Sequence, residues 1–391
     1  LHEVASGTMN SSDDELSYLA HGHWNGFHFR LGALESVDRT AKTVTLAPSR
    51  DVDGREYIPR RTFAYDTLVL ALGSITNDFG IEGVAEHCFF LDSREQADRF
   101  HQHLVRACYA ANTQHEPLRE GQLHVAIAGA GATGVELAAE LHVAIRTLVE
   151  FGLERIEPKR DLKIHIIEGA DRILPGLSER ISASTAEVLR GIGVELHTGE
   201  LVSAATAEGF HTKSGRFIPA EIKVWAAGIK APAVIASIDG LERNRLNQVI
   251  VRPTLQAVGD EDIFVIGDCA ACPMPDGEGF VPPRAQAAHQ QADLLVKSMA
   301  KRLAGEPLPA FEYRDFGSLI NLSHHSTIGN LMGNLTGKFN ASISIEGWFA
   351  RMAYLSLYKM HQFATQGLLR TTFLSIANFF TRTSKPRLKL H

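Results

Sequence analysis

The chain has 391 residues, 45% of them hydrophobic and 21% charged, a globular balance that excludes disordered and collagen-like architectures. Its length predicts about two to three domains, and its apolar runs fall short of the roughly 18–20 residues a spanning helix needs, which excludes a polytopic membrane protein. The net charge of −6 argues against general nucleic-acid binding, and four cysteines (Cys88, Cys108, Cys269, Cys272) are too few for a disulfide framework and point to a reducing compartment.

Residues 1–60 carry short alternating runs such as Lys42-Thr43-Val44-Thr45-Leu46, which predict antiparallel strands. Asp66 to Leu72 is a continuous apolar run ending at Gly73, the pattern of a parallel strand buried on both faces. A helix is predicted around 93–113 and a polar linker near 114–121. Leu123 to Ala128 is a second buried strand that opens directly into Gly129-Ala130-Gly131-Ala132-Thr133-Gly134 and a long helix to about 150. Lys163 to Glu168 is the next strand. This alternation predicts a doubly wound α/β fold.

Gly129-x-Gly131-x-x-Gly134, after a buried strand and before a helix, is the dinucleotide fingerprint in its proper context. The first glycine permits the tight turn, the second lets the backbone approach a pyrophosphate, and the third lets helix and strand pack. The pyrophosphate then sits on a helix N-terminus, where unpaired N–H groups favour anions. Glu168 ends the next strand, where a carboxylate accepts hydrogen bonds from ribose hydroxyls and repels a 2′-phosphate, so NADH is favoured over NADPH. Arg172 nearby softens that preference. Glu136, two residues past Gly134, reads either as a carboxylate complementing the helix dipole or as a proton-relaying group beside the nicotinamide.

Glu221 to Gly228 repeats the strand-to-glycine device of Asp66 to Gly73, and 99 residues separate Gly129 from Gly228. The same distance counted back from Gly73 places the first module's fingerprint upstream of Leu1, so the sequence is expected to lack the first strand-turn-helix of a two-module protein. Asp262 to Gly267 is a third buried strand, ending in Gly267-Asp268, which places a carboxylate at the ligand-facing end. Cys269-x-x-Cys272 follows at once; it lacks the second pair that a tetrahedral metal site needs, and no metal is expected. Pro282-Pro283-Arg284-Ala285-Gln286-Ala287-Ala288-His289 starts a helix with small residues, which allows close approach to its N-terminus. His289 reads equally well as an ordinary helix-face histidine.

The last 45 residues hold Arg351, Lys359, Arg370, Arg382, Lys385, Arg387 and Lys389 and no acid, so the tail carries +7 and the other 346 residues −13. Leu369, Phe373, Ile376 and Phe380 recur at helical spacing and run into Lys385-Pro386-Arg387. That predicts an amphipathic helix lying on an anionic membrane surface, with Trp348, Tyr354 and Tyr358 ahead of it as interfacial or dimer-forming residues.

Together, Leu1-His-Glu-Val-Ala5, Tyr65-Asp-Thr-Leu-Val69 with Ala71-Leu-Gly-Ser74, Gly129 to Glu136, Val224-Trp-Ala-Ala-Gly-Ile229, Ile266-Gly-Asp268, Ala285-Gln-Ala-Ala-His-Gln290 and the Lys385-to-His391 ending resemble bacterial type II NADH dehydrogenases over essentially the whole chain. The resemblance implies two Rossmann-like modules of the FAD/NAD(P)-binding flavoprotein type, with residues 1–115 and 253–330 for FAD, 120–250 for NADH, and 335–391 as a membrane-association region. It implies hydride transfer from NADH to FAD and electron transfer to ubiquinone or menaquinone without proton pumping. The site residues it implies are Glu136 and Gln286 for the chemistry. For the cofactors they are Gly129, Gly131, Gly134, Glu168, Ala71, Gly73, Ala227, Gly228, Gly267, Asp268, Ala285 and Ala287. A peripheral homodimer on the cytoplasmic face of the bacterial inner membrane is expected. Two other readings stand beside it: a catalytically silent NADH-binding module, and a flavoprotein disulfide reductase using Cys269 and Cys272.

Overall fold

A computed structural model describes residues 1–9, 16–275, 277–323, 327–332 and 342–346, with single positions and short stretches between 352 and 376. The chain forms two compact units: Leu1–Asp14 with Thr76–Gly228 and Phe316–His391, and Glu15–Ile75 with Ile229–Asp315.

The first unit is built on a parallel sheet of four strands in the order Val194–Thr198, Ile164–Glu168, Val125–Ala128, Ile222–Trp225. Numbered along the chain this is 3-2-1-4, the strand order of a dinucleotide-binding half. Every residue of Val125–Ala128 is buried, as a near-continuous apolar run requires of a strand covered on both faces. Side-chain alternation sorts its two faces. Val125 and Ile127, with Ile164, Ile166 and Val224, pack under helices that contribute Phe100, Leu104, Val135, Leu137, Leu141 and Leu189. Ala126, Ala128, Ile167 and Trp225 face Phe210 and Ile218, which belong to an antiparallel meander of Val202–Ala205, Gly209–Thr212 and Phe217–Pro219. Complete burial of each such Val, Ile or Phe stabilises the unit by about 1.5–3 kcal/mol.

The helix predicted around 93–113 spans Arg94–Thr113 and starts at a capping box made by Ser93 and Gln96. Its buried positions, Ala97, Phe100, Leu104, Cys108 and Ala111 among them, recur every three or four residues as one packed face requires. That helix joins the core of the glycine-turn unit, although its residues fall within the 1–115 segment grouped above with the first module. Residues 316–330, grouped there as well, also belong to this unit: Gly317–Asn321 and Thr327–Met332 pair antiparallel, and Ile320, Leu322 and Ile328 join the same core. The units divide at 14/15, 75/76, 228/229 and 315/316, the middle two where the chain leaves each strand-to-glycine device, and none in the polar linker near 114–121.

The second unit holds an antiparallel sheet of Leu34–Asp38, Thr43–Leu46 and Arg61–Ala64, and a parallel pair of Leu68–Leu70 with Ile263–Val265. Its core gathers Val37, Leu70, Ile235, Leu255, Phe264, Cys269, Cys272 and Leu295. The guanidinium of Arg39 ties the unit's two segments, donating to Asp260 Oδ2 (2.7 Å), the Asp239 carbonyl (3.0 Å) and the Gly259 carbonyl (2.8 Å).

Among the described residues no helix is long and apolar enough to cross a membrane. Of the expected tail helix, Phe373 and Ile376 are described and exposed. Leu369, Phe380, Lys385-Pro386-Arg387, Trp348, Tyr354 and Tyr358 lie outside the described residues.

Candidate active site

The glycine turn has the geometry its spacing predicts. Gly129 has φ +104°, and a Cβ there would sit 2.7 Å from the Ala226 carbonyl group. A Cβ on Gly134 would meet the Gly129 carbonyl oxygen at 2.1 Å, so the fingerprint helix Ala132–Glu150 lies directly on the turn. Beside Gly131, by contrast, the space is open, and no side chain caps the helix that begins there. An open approach onto an uncapped helix start fits a pyrophosphate. Glu168 is locked in place across the turn, its Oε2 accepting from the Ala130 N–H (2.8 Å) and its Oε1 from the Ala170 N–H (2.9 Å). Each carboxylate oxygen keeps a lone pair for a ribose hydroxyl. Arg172 spends its guanidinium on the carbonyls of Pro175 and Leu177, which draws it away from any 2′-phosphate.

At the end of the fourth strand, Ala227 lies against the glycine turn: a Cβ on Gly129 would sit 2.8 Å from its Cα. The Trp225 indole donates to the carbonyls of Asn77 (2.9 Å) and Ala227 (3.1 Å), which fixes the backbone there. Phe79, which the sequence did not single out, lies against Gly228, where a Cβ would meet its ring at 2.4 Å. It is 58% exposed and has φ +53°, a strained conformation of the kind that gathers at functional sites. Only the turn-forming Asn77-Asp78 before it hints at this in the sequence.

Glu136 is not a surface carboxylate answering the helix dipole. It is 9% exposed, and its Oε1 accepts from the Asn321 N–H at 3.0 Å. Burial pushes its carboxyl up to about 7, against the lowering effect of the Asn321 hydrogen bond and with Glu3 adding to the rise. His2 Nδ1 stands 3.6 Å from Glu136 Oε2. Burial lowers His2 to about 4, so the imidazole is neutral at pH 7 and does not form an ion pair with Glu136. One helical turn on, Glu140 Oε2 accepts from the Thr8 hydroxyl at 3.0 Å. His2, Thr8 and Asn321 escaped the sequence reading, although the first lies within the quoted Leu1-to-Ala5 run.

The second unit holds the remaining expected residues. Ala71 and Gly73 follow the strand Leu68–Leu70, and Gly267 and Asp268 follow its partner Ile263–Val265. Asp268 Oδ2 accepts from the Ser74 hydroxyl (2.8 Å), its carbonyl accepts from the Gln248 amide (2.8 Å), and the Gly267 N–H donates to Gln291 Oε1 (2.7 Å). The helix Ala285–Leu303 starts with no side-chain cap, and the space beside Gly73 is open. Two parallel strand ends, an oriented carboxylate and an uncapped helix start fit the ribityl and pyrimidine parts of a flavin dinucleotide. Ala285 is exposed at the helix start, whereas Ala287 is buried in the core and acts through packing. Gln286 donates to Asp315 Oδ1 (3.1 Å), whose Oδ2 accepts from Arg284 (3.1 Å). Asp315, absent from the sequence reading, thus sets the amide's direction.

Cys269 and Cys272 are free thiols with no exposed surface. Burial raises both above the ordinary thiol range, Cys272 to about 11. Neither presents the accessible thiolate that disulfide exchange needs.

Residues 5–292 match the family model described as pyridine nucleotide-disulphide oxidoreductase. The chain is 40% identical, over its full length and 90% of the relative's, to a type II NADH:quinone oxidoreductase of Haemophilus influenzae. It is 30% identical to one of Staphylococcus aureus, over 86% of this chain and 81% of that one. The chain belongs to the type II NADH:quinone oxidoreductase family. The fold agrees: a solved structure of NDH2 from Plasmodium falciparum in complex with NADH superposes with a TM-score of 0.80 at 18% identity, covering 99% of this chain and 91% of that one. Membership of this family places the chain among FAD- and NAD-binding α/β oxidoreductases.

Proposed function

We propose that the chain is an FAD-dependent NADH:quinone oxidoreductase, the activity carried by the family to which it belongs. The observation that supports the reading is that one helix joins the glycine turn to a buried carboxyl. It opens at the dinucleotide turn, and five residues after Gly131 it presents a buried carboxyl whose proton affinity is poised near neutrality.

NADH binds with its pyrophosphate over Gly131 and the uncapped helix start and its adenosine ribose on Glu168. The like charge of Glu168 disfavours a 2′-phosphate, so NADH is preferred to NADPH. Bound FAD would supply the two-electron carrier between the nicotinamide and quinone. Asp268, held by Ser74, orients on the flavin's ribityl or phosphate groups, and the start of the helix Ala285–Leu303 favours negative charge at the pyrimidine edge. Gln286, aimed by Asp315, positions a quinone carbonyl. Quinone reduction to quinol by NADH consumes one proton beyond the hydride, and Glu136 holds that proton at its carboxyl near pH 7.

The basic, acid-free tail and the exposed Phe373 and Ile376 support peripheral attachment to an anionic lipid surface. The reading extends to a homodimer on the cytoplasmic face of the bacterial inner membrane, with ubiquinone or menaquinone as the acceptor.

Steady-state assay with a short-chain quinone tests the activity, and the double variant Cys269→Ser with Cys272→Ser separates it from disulfide reduction. NADH-dependent quinone reduction retained at close to the parental rate is expected. Collapse of turnover in the double variant, with NADH-dependent disulfide cleavage by the parent, would replace this reading with the disulfide reductase.

A further inference from the structure

The sheet face of the first unit that carries Ala126 and Ile167 also carries three polar side chains for which the proposed chemistry has no use. Glu195 pairs with His165 and His197 with Ile167 in the register of the two parallel strands, so alternation puts His165, Glu195 and His197 on one face. His165 Nδ1 lies 3.1 Å from His197 Nε2 and 3.4 Å from Glu195 Oε2, and Glu195 Oε2 lies 3.9 Å from His197 Nε2. Donors bound tetrahedrally at zinc's ~2.0–2.1 Å stand about 3.3 Å apart, so the triangle is close to one face of a zinc coordination tetrahedron. Two imidazoles and a carboxylate are also the donor set that borderline divalent metals select.

The surroundings leave these donor atoms available. Lys163 Nζ engages the other carboxylate oxygen, Glu195 Oε1, at 3.7 Å. His165 Nε2 is buried with no hydrogen-bond partner among the described residues, so no second contact dictates which ring nitrogen carries the proton. His165 is 4% exposed, while the Glu195 side chain is 46% exposed, which gives an ion and its water a way in beside a fixed imidazole. None of the three residues lies at the nucleotide turn. Glu168 lies three positions after His165, about 10 Å along the strand.

We propose that His165, Glu195 and His197 bind one divalent transition-metal ion of the zinc, nickel and copper class, with water completing the coordination. The ion bridges the edge strand Val194–Thr198 to Ile164–Glu168, the strand that presents the ribose-binding carboxylate, and stabilises that edge by linkage.

The test uses tag-free, FAD-loaded protein stripped with EDTA and titrated with zinc chloride by calorimetry, alongside Glu195→Gln and His197→Gln. Glu195 is open to solvent whereas the His197 side chain is only 10% exposed, and neither residue takes part in the proposed reaction, so the metal-free NADH:quinone rate serves as the check on folding. One zinc ion per chain is expected, bound more weakly in each variant by at least the ~10–100-fold that loss of a mere supporting hydrogen bond costs a metal site. Copper(II) loaded at one equivalent should show electron paramagnetic resonance coupling to two imidazole nitrogens, falling to one in His197→Gln. Absence of binding, or affinity and nitrogen coupling unchanged in both variants, would overturn the proposal by placing any bound ion elsewhere.

Discussion

Glu136 concentrates the account at the scale of a single residue. Its position after Gly134 is plain in the sequence, but its chemistry is not, because that depends on burial and on a backbone donor, Asn321, that lies 185 positions away. A carboxyl raised to about 7 is protonated below that value, so quinone reduction that draws on its proton falls as pH rises through about 7. Glu136→Gln removes this limb and lowers turnover with quinone by roughly 10²-fold, the scale of general acid catalysis, with the KM for NADH little changed. A parental rate and pH profile in the variant would take Glu136 out of the mechanism. Stability changes with pH in the same direction. Because the folded-state value lies above the unfolded one, stability is lost as pH rises from about 4.5 to about 7. Glu136→Gln therefore stabilises the protein at pH 8, by about 2–4 kcal/mol, and does not at pH 4.5.

At the scale of elements, the parts that were legible are those encoded by neighbours in the chain. The glycine turn, the buried strand before it and the Arg94–Thr113 helix with its Ser93 cap each show a local pattern, and each forms where that pattern places it. Which core the Arg94–Thr113 helix joins was not legible, since an apolar face specifies burial but not the surface that supplies it. Gln286 shows the same limit: the helix start was readable from Pro282-Pro283, whereas the Asp315 carboxylate that holds the amide lies in a segment with no motif. The element-level constraint that bears on the site is Gly134, where an added methyl group overlaps the Gly129 carbonyl oxygen. Gly134→Ala must push the helix off the turn, so NADH affinity is expected to fall by about tenfold or more, since a displacement of this order costs at least 1–3 kcal/mol. Parental affinity in titrations of this variant would show that the helix does not need to touch the turn.

Over the whole molecule, the charge division is the main signal outside the cofactor units: a −13 body and a +7 tail. The division was readable by counting, and it is the electrostatic basis of the proposed attachment of the tail to anionic lipid. Removing residues from about 365 onward is expected to abolish sedimentation with anionic vesicles while reduction of a soluble acceptor continues. Sedimentation that persists would place the attachment elsewhere in the chain. The Rossmann order 3-2-1-4, the locked Glu168 and the oriented Asp268 converge on one central claim, that NADH reduces a flavin held by this chain. The visible absorption spectrum of the purified protein, recorded without oxygen before and after addition of NADH, tests it most directly. Oxidised-flavin bands that bleach on addition of NADH and return when quinone is supplied are expected; a colourless protein, or flavin bands that NADH leaves unchanged, would overturn it.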